Sequence, residues 1–260
     1  MITYFSQVVK TSYYLTLFVS EVVTLEPKKG DFTVQWVQLA VWVGIIAVNR
    51  RNRWLGPLLA AGLASAMGTQ LLLLYMDGLL TLETALPLHL CSLFGMLSIF
   101  TLHHAPAWLY ETQLFLAAPA ALMTLLFPAV MRSSHPFLMQ LSFYRLHVLL
   151  ALMPFYHFCT EKPLPTDPRR ALLVGSGYVL GVSAFNRAFS TNYLFLRAAP
   201  AGTPLLLFFQ RGSLFYLCAL VMLAMPVMSW LRLLYISAGN RSSCTRCIRR
   251  TAPCTSRGRG

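Results

Sequence analysis

Residues 54–76 have the sequence WLGPLLAAGLASAMGTQLLLLYM, an apolar run without a charged side chain. A helix needs about 20 largely apolar residues to cross the hydrocarbon core of a bilayer, and this run has that length. It is followed at once by Asp77-Gly78, a pair typical of turns. The run therefore predicts a membrane-spanning helix that ends near Met76.

Six further apolar runs resemble this one and are also bordered by polar or turn-forming residues. They cover residues 32–48, 87–102, 112–131, 137–159, 171–189 and 213–235. The run that opens with Pro87 is short, and its helix can also begin before the proline, near Thr81, because proline is tolerated in a first helical turn. We therefore predict an all-α fold: a polytopic integral membrane protein with about seven transmembrane helices in one bundle.

The chain divides into three parts. Residues 1–31 mix aromatic with charged side chains and lack the features of a secretory signal, so we expect an interfacial segment, with a weak membrane span as the alternative. Residues 32–236 form the seven-helix membrane domain. Residues 237–260 form a basic tail, for which we expect disorder.

The composition supports this class and limits the partners. Hydrophobic side chains make up 57% of the chain, charged ones 11%, and the formal net charge is +13. The basic residues are spread over loops and tail rather than along one stripe, and no nucleic-acid-binding motif occurs. We expect membrane lipids, and not nucleic acid, as partners, and nothing in the sequence predicts an oligomeric state.

Lysine and arginine in short loops predict the orientation, since they favour the cytoplasmic side. They cluster after the first, fifth and seventh runs, as Arg50, Arg51 and Arg53, then Lys162, Arg169 and Arg170, and finally Arg232 with six arginines in the last twenty residues. We therefore expect a multi-pass protein of the cell membrane, with its N-terminus outside and its C-terminus in the cytoplasm.

Cys91 and His147 are the leading candidates for a functional site. They lie in the third and fifth runs, which must cross the membrane in the same direction. At about 1.5 Å of rise per residue, both lie roughly 6–10 Å below the same membrane face. Polar side chains at such depths are costly and are by default candidates for function.

Helical phase and chain direction select the companions of this pair. Tyr144 shares the helical face of His147, since residues three apart lie on one side of a helix. The sixth run runs in the opposite direction and returns Asn192 and Tyr193 to the same membrane face. His89 lies two residues before Cys91 and points away from it on a regular helix, so a catalytic role for His89 requires an irregular helix at Pro87.

Three short motifs resemble those of a known family. They are LPLHLCS (residues 86–92), FYRLH (residues 143–147) and NYLFL (residues 192–196) followed by Pro200. In this order they resemble the YwaF-like family of bacterial membrane proteins, which is related to transmembrane protein 164 of animals. The resemblance implies a lipid acyltransferase that uses a Cys and a His within the membrane to move a fatty acyl chain onto lysophospholipids. It places these roles on Cys91 and His147.

The chemistry of a thiol explains why such a pair is needed. The reference pKa of a cysteine thiol is about 8.5, so little thiolate exists at neutral pH unless a neighbouring imidazole takes the proton. The thiolate then attacks an acyl ester, and the acyl group passes to the hydroxyl of a second lipid. His89, Tyr144, Asn192 and Tyr193 are candidates for hydrogen bonds to the substrate. No metal or nucleotide motif occurs, so we expect neither a metal nor a cofactor.

Other interpretations remain open on the residues alone. A buried Cys is more often a packing residue, and a membrane His more often joins two helices by a hydrogen bond. In a transporter or channel for a small amphiphilic molecule, Cys91 would be incidental and a polar path would be lined by His89, His147, His157, Tyr144 and Asn192. A non-catalytic scaffold is the third possibility.

Overall fold

The computed structural model describes residues 33–49, 52–102, 106–128, 130–160 and 168–198. The regular structure of this part of the chain is helical, which confirms the predicted all-α class. Its elements are α1 (Thr33–Asn49), α2 (Leu55–Met76), α3 (Leu82–Ala85), α4 (Leu90–Thr101), α5 (Ala107–Leu126), α6 (Pro136–Cys159), α7 (Pro168–Phe189) and a 3₁₀ turn (Tyr193–Phe195). The N-terminal segment, the seventh apolar run and the basic tail lie outside the described residues.

Three of these helices, α2, α5 and α6, are long and apolar enough to cross a membrane, by length and composition. The helices α1 and α4 are apolar but shorter. Large apolar side chains cover the outside of the bundle, among them Val48 (83% exposed), Phe100 (80%) and Leu173 (74%). Such a surface suits a lipid environment better than water. The number of seven spans stays a prediction.

A polar side chain marks the start of α2, and a glycine marks its end. The Asn52 side chain accepts a hydrogen bond from the backbone N–H of Trp54 (3.0 Å) just before the helix begins. At the other end Gly78 has a φ of +68°, and the N–H of Leu79 turns back to the carbonyl of Leu74 (2.8 Å). A glycine is needed there because other residues rarely adopt a positive φ.

The third predicted helix begins later than expected, at Leu90 instead of Pro87. Leu86 and His89 both have extended backbone conformations, with ψ values of 137° and 142°. A proline disfavours the helical conformation of the residue before it and has no N–H to donate, which separates α3 from α4. His89 is consequently the residue that precedes α4, rather than a member of a regular helix.

The fourth predicted helix is displaced by five residues toward the N-terminus, since α5 covers Ala107–Leu126 and not residues 112–131. It begins after Pro106, whose φ of −65° and ψ of 153° are extended, and ends at Phe127, one residue before Pro128. A π-helical turn over Gln113–Ala117 interrupts it. The prediction relied on apolar content, whereas the prolines determine the actual ends of the helix.

The helix α6 lies in the centre of the bundle and packs against α1, α2, α4 and α5. Buried side chains of its central turns, such as Leu146, Leu149 and Met153, form a core with residues of the surrounding helices. The helix α7 packs against the first part of α5, where Ala171 contacts Leu114 and Phe115. Because lipid tails are as apolar as leucine, close packing rather than removal from water stabilises such a bundle.

The two ends of the bundle carry different polar contacts. At one end, Ser133 before α6 donates a hydrogen bond to Asp77 after α2 (2.6 Å); we call this end the Cys91 end. At the other, a guanidinium nitrogen of Arg170 in α7 lies 3.8 Å from a carboxylate oxygen of Glu111 in α5; we call this end the Glu111 end. The side chain of Glu111 is buried, whereas that of Arg170 is exposed.

Candidate functional site

The site begins with the extended segment 86–89, which tyrosine hydroxyls hold in place. Tyr178 of α7 donates its hydroxyl proton to the carbonyl of Leu88 (2.6 Å). Tyr193, in the turn after α7, donates its hydroxyl proton to the carbonyl of Leu82. These hydrogen bonds tie the short helix α3 and the segment before α4 to α7 and to the turn that follows it.

Cys91 is the second residue of α4 and lies within its first turn. No side chain caps this turn, and the first backbone N–H groups of a helix have no helical acceptor. Cys91 is a free thiol that packs against the central core, near Thr124 of α5, whose hydroxyl donates to the carbonyl of Ala120 (2.9 Å). The thiol therefore lies in the first turn of α4, near the positive end of its helix dipole.

His147 is a buried residue of α6, with 6% of its surface exposed. Its Nδ1 lies 2.8 Å from the carbonyl oxygen of Phe143, and its ring centre lies 4.3 Å from that of Phe143. A carbonyl only accepts, so Nδ1 carries the proton and Nε2 keeps a free electron pair. In this tautomer a neutral His147 can accept a proton only at Nε2.

The helices that carry Cys91 and His147 are in direct contact. A Cβ atom at Gly95 of α4 would lie 2.9 Å from a methyl group of Leu146 in α6. Gly95 is one turn below Cys91, and Leu146 is the neighbour of His147. Within the described residues, Cys91 and His147 form no direct hydrogen bond with each other. The contact brings the pair to one region of the bundle, and its catalytic role stays a prediction.

His89 occupies a different position from the one expected on a regular helix. Its ring lies between Tyr193 and Phe195, with ring centres at 5.2 and 5.4 Å. It is also near enough to His147 for a charge on one ring to repel a charge on the other. The irregular helix start that a catalytic His89 would require is therefore present.

The turn that holds His89 is itself unusual. Leu194 and Phe195 have φ values of 57° and 56°, a region that residues other than glycine rarely adopt. The side-chain amide of Asn186 donates to the carbonyl of Tyr193 and accepts from its N–H, both at 2.9 Å. Backbone strain of this kind persists only where surrounding contacts impose it, and it is common near functional sites.

The remaining candidates differ in how many of their polar side-chain atoms already form hydrogen bonds within the protein. Tyr144 is buried on the face of His147, and its hydroxyl accepts a hydrogen bond from Gln140 (3.3 Å). Asn192 binds its own turn, because its side-chain oxygen accepts from the N–H groups of Arg197 (2.9 Å) and Ala198 (3.0 Å). The hydroxyl of Tyr193 is engaged with Leu82. Substrate binding by these residues stays a prediction.

Several residues of this region were not identified from the sequence. They are Gln35 and Gln38 of α1, Thr124 of α5, and Tyr178 and Asn186 of α7. All are polar side chains inside apolar runs, which is the signal that selected Cys91 and His147. The described residues contain no group of three or more His, Cys, Asp or Glu that could hold a metal ion.

Comparison with known proteins gives one match. The family described as the TMEM164 family matches residues 9–232 of this chain. The match covers α1 to α7, the Cys91 end and the segment that carries Asn192 and Tyr193. No curated protein and no solved structure matches the chain.

Proposed function

The chain belongs to the TMEM164 family, and on that premise we propose that it is a lipid acyltransferase with Cys91 as nucleophile and His147 as general base. It is a membrane protein of that family with long apolar helices. The proposed reaction moves a fatty acyl group from one membrane lipid to another. The cell membrane is the proposed location, with the N-terminus outside and the C-terminus in the cytoplasm.

One observation supports this function above the others: Cys91 lies in the uncapped first turn of a helix that packs against the helix of His147. The first turn offers backbone N–H groups to a negatively charged oxygen, as an oxyanion hole does. His147 has its Nδ1 engaged and its Nε2 free. A nucleophile, a base in the correct tautomer and an oxyanion site are the parts that acyl transfer requires.

The proposed reaction has two steps. His147 takes the thiol proton, the sulfur attacks the ester carbon of the donor lipid, and the C–O bond breaks as His147 returns the proton to the leaving lysolipid. A hydroxyl of the acceptor then loses its proton to His147 and attacks the thioester. The C–S bond breaks, and the proton returns to Cys91. Atoms and charges balance without a cofactor.

Two neighbouring residues are proposed to contact the substrate, and a third to act through its own turn. The His89 ring, between Tyr193 and Phe195, is placed to donate or accept a hydrogen bond at the Cys91 end. Tyr144 lies on the same face as His147 and can orient a lipid head group. Asn192 is proposed to act mainly through its turn, since both ends of its side chain are engaged there.

Transport of a small amphiphilic molecule is the second candidate, and the Glu111 end favours it. Glu111 (5% exposed) and Gln113 (1%) are buried in α5, and His157 (1%) is buried in α6. Polar groups near both ends of a bundle are typical of a path across the membrane. In that case the hydroxyl of a serine should replace the thiol of Cys91 without loss of activity.

Lipid transfer by variants separates the two functions. Purified protein is reconstituted with a labelled phospholipid donor and a lysophospholipid acceptor, and the products are measured by mass spectrometry. Cys91→Ser and His147→Ala should each remove most transfer, and the double variant should be little worse, because residues of one catalytic unit are not additive. Cys159→Ser is the matched control and should retain turnover. Full transfer by Cys91→Ser would make transport the better proposal.

A further inference from the structure

Two glutamines of α1 reach across the bundle at the Cys91 end. Gln35 and Gln38 are 2% and 6% exposed, and they lie one turn apart on one face of the helix. The amide nitrogen of Gln35 donates to the carbonyl of Leu125 in α5 (2.9 Å). That of Gln38 donates to the carbonyl of Leu141 in α6 (3.4 Å).

The oxygen of each amide is buried and has no hydrogen-bond partner among the described residues. The orientation of the two amides is fixed by chemistry, because their partners are carbonyl groups, which only accept. The nitrogen must therefore face the carbonyl, and the oxygen is the free end. A buried polar atom without a partner is costly and rare in native proteins, and it commonly marks a place that a water or a ligand occupies.

Both amides are held by backbone carbonyls in the helices α5 and α6, whose residues Thr124 and His147 belong to the site region. Leu125 directly follows Thr124, which lies near Cys91. Leu141 lies one turn before Tyr144 on α6. The two glutamines thus border the Cys91 end between α1, α5 and α6.

We propose that the side-chain oxygens of Gln35 and Gln38 bind hydroxyl groups of the acceptor lipid, outside the hydroxyl that reacts. This inference rests on the proposed acyl transfer. The reacting hydroxyl must give its proton to His147, so it cannot also donate that proton to an amide. An amide oxygen is too weak a base to take the proton and acts only as an acceptor. The two oxygens therefore select an acceptor whose head group carries further O–H donors.

Binding tests this inference without turnover. Lysophosphatidylglycerol carries two hydroxyls in its head group, whereas the head group of lysophosphatidylcholine has no hydrogen-bond donor. Native mass spectrometry of the purified chain should show tighter binding of the glycerol lipid. Gln35→Met and Gln38→Met keep the side-chain volume but remove the acceptor, and each should reduce this preference about fivefold. Unchanged preference in both variants, or none in the wild type, would overturn the inference.

Gln113→Met is the matched control. Gln113 is equally buried, its nitrogen donates to the Ser98 hydroxyl (2.7 Å) and its oxygen is likewise without a partner among the described residues. It lies 12 residues before Leu125 on α5, about 18 Å away along the helix. This variant should keep the head-group preference of the wild type. An equal loss of preference in Gln113→Met would contradict a local role of Gln35 and Gln38.

Two further measurements separate a binding role from a structural one. If the oxygens are unsatisfied without a lipid, Gln38→Met should unfold at the same or a higher temperature than the wild type, while its transfer to lysophosphatidylglycerol falls. Formation of acyl-Cys91 should stay at the wild-type level, since only the second step uses the acceptor. Absence of acyl-Cys91 in the wild type would refute the acyltransferase, whereas the binding comparison would still decide the role of the glutamines.

Discussion

Gly95 is the residue that lets α4 approach α6. Leu146 occupies the space that a side chain at position 95 would fill, with the nearest methyl 2.9 Å from a Cβ atom there. Gly95→Leu should therefore force the two helices apart and destabilise the protein by about 1–3 kcal/mol, as overpacking of a core commonly does. Thermal unfolding in detergent measures this change. The variant should also lose acyl transfer, since the separation of Cys91 and His147 would increase.

Gly177 of α7 is the control for this change. Among the residues that the structure describes, none has a heavy atom within 4 Å of a Cβ atom at Gly177, so a leucine there meets no described neighbour. Gly177→Leu should unfold at the wild-type temperature or above, because leucine favours a helix more than glycine does. Equal destabilisation by both variants would show that close packing at Gly95 is not the cause.

At this scale the sequence could select Cys91 and His147 as candidates, because a thiol and an imidazole are conspicuous in apolar runs. It could not identify the partners that orient them. The hydrogen bond from His147 to Phe143, the contact of Cys91 with Thr124 and the free oxygens of Gln35 and Gln38 depend on which helices are neighbours. Helical periodicity shows which face of its own helix a residue occupies, but not which neighbouring helix packs against that face.

At the scale of elements, Asp77 joins the end of α2 to the start of α6. Hydrogen bonds from Ser133, and then from Ser134, hold the pKa of Asp77 below its ordinary value of 3.8. A carboxyl group with a lowered pKa in the folded protein contributes stability above its unfolded pKa. This contribution is lost as the pH falls through the lower folded value.

Asp77→Asn should therefore lower the unfolding temperature at pH 7, since an amide replaces one of the two accepting oxygens with a donor. The difference from the wild type should shrink as the pH falls below about 4, because the unfolded chain is protonated there first and the folded carboxylate only at lower pH. A pH series of thermal unfolding from pH 3 to 7 measures this. A difference that is constant over this range would contradict the role of the charge.

The helix ends show how far sequence reasoning extends to elements. The predicted ends of α2 and the start of α6 agree with the structure to within one residue, because Asn52, Asp77 and Pro136 mark them. The observed start of α4 and both observed ends of α5 differ from the predicted positions. Composition alone does not distinguish apolar residues before a proline from those after it. The π-turn of α5 leaves no such mark in the sequence.

At the scale of the whole molecule, the contact between Asp77 and Ser134 places the end of α2 and the start of α6 at one end of the bundle. Single cysteines at Gly78 and near Ser134 should react with a membrane-impermeant maleimide from the same side of the membrane. A cysteine at Asn52, at the other end of α2, should react from the opposite side. Reaction of positions 52 and 78 from one side would remove α2 from the membrane-spanning helices.

The central claim is that Cys91 carries the acyl group, and the most direct measurement is the mass of the Cys91 peptide after incubation with a donor lipid. The reconstituted protein receives a phospholipid with a deuterated acyl chain and no acceptor. The account predicts a deuterated acyl adduct on Cys91 that neutral hydroxylamine removes, that a lysophospholipid discharges, and that His147→Ala fails to form. Ongoing acyl transfer with an unmodified Cys91, or with the adduct on Cys159, would contradict it.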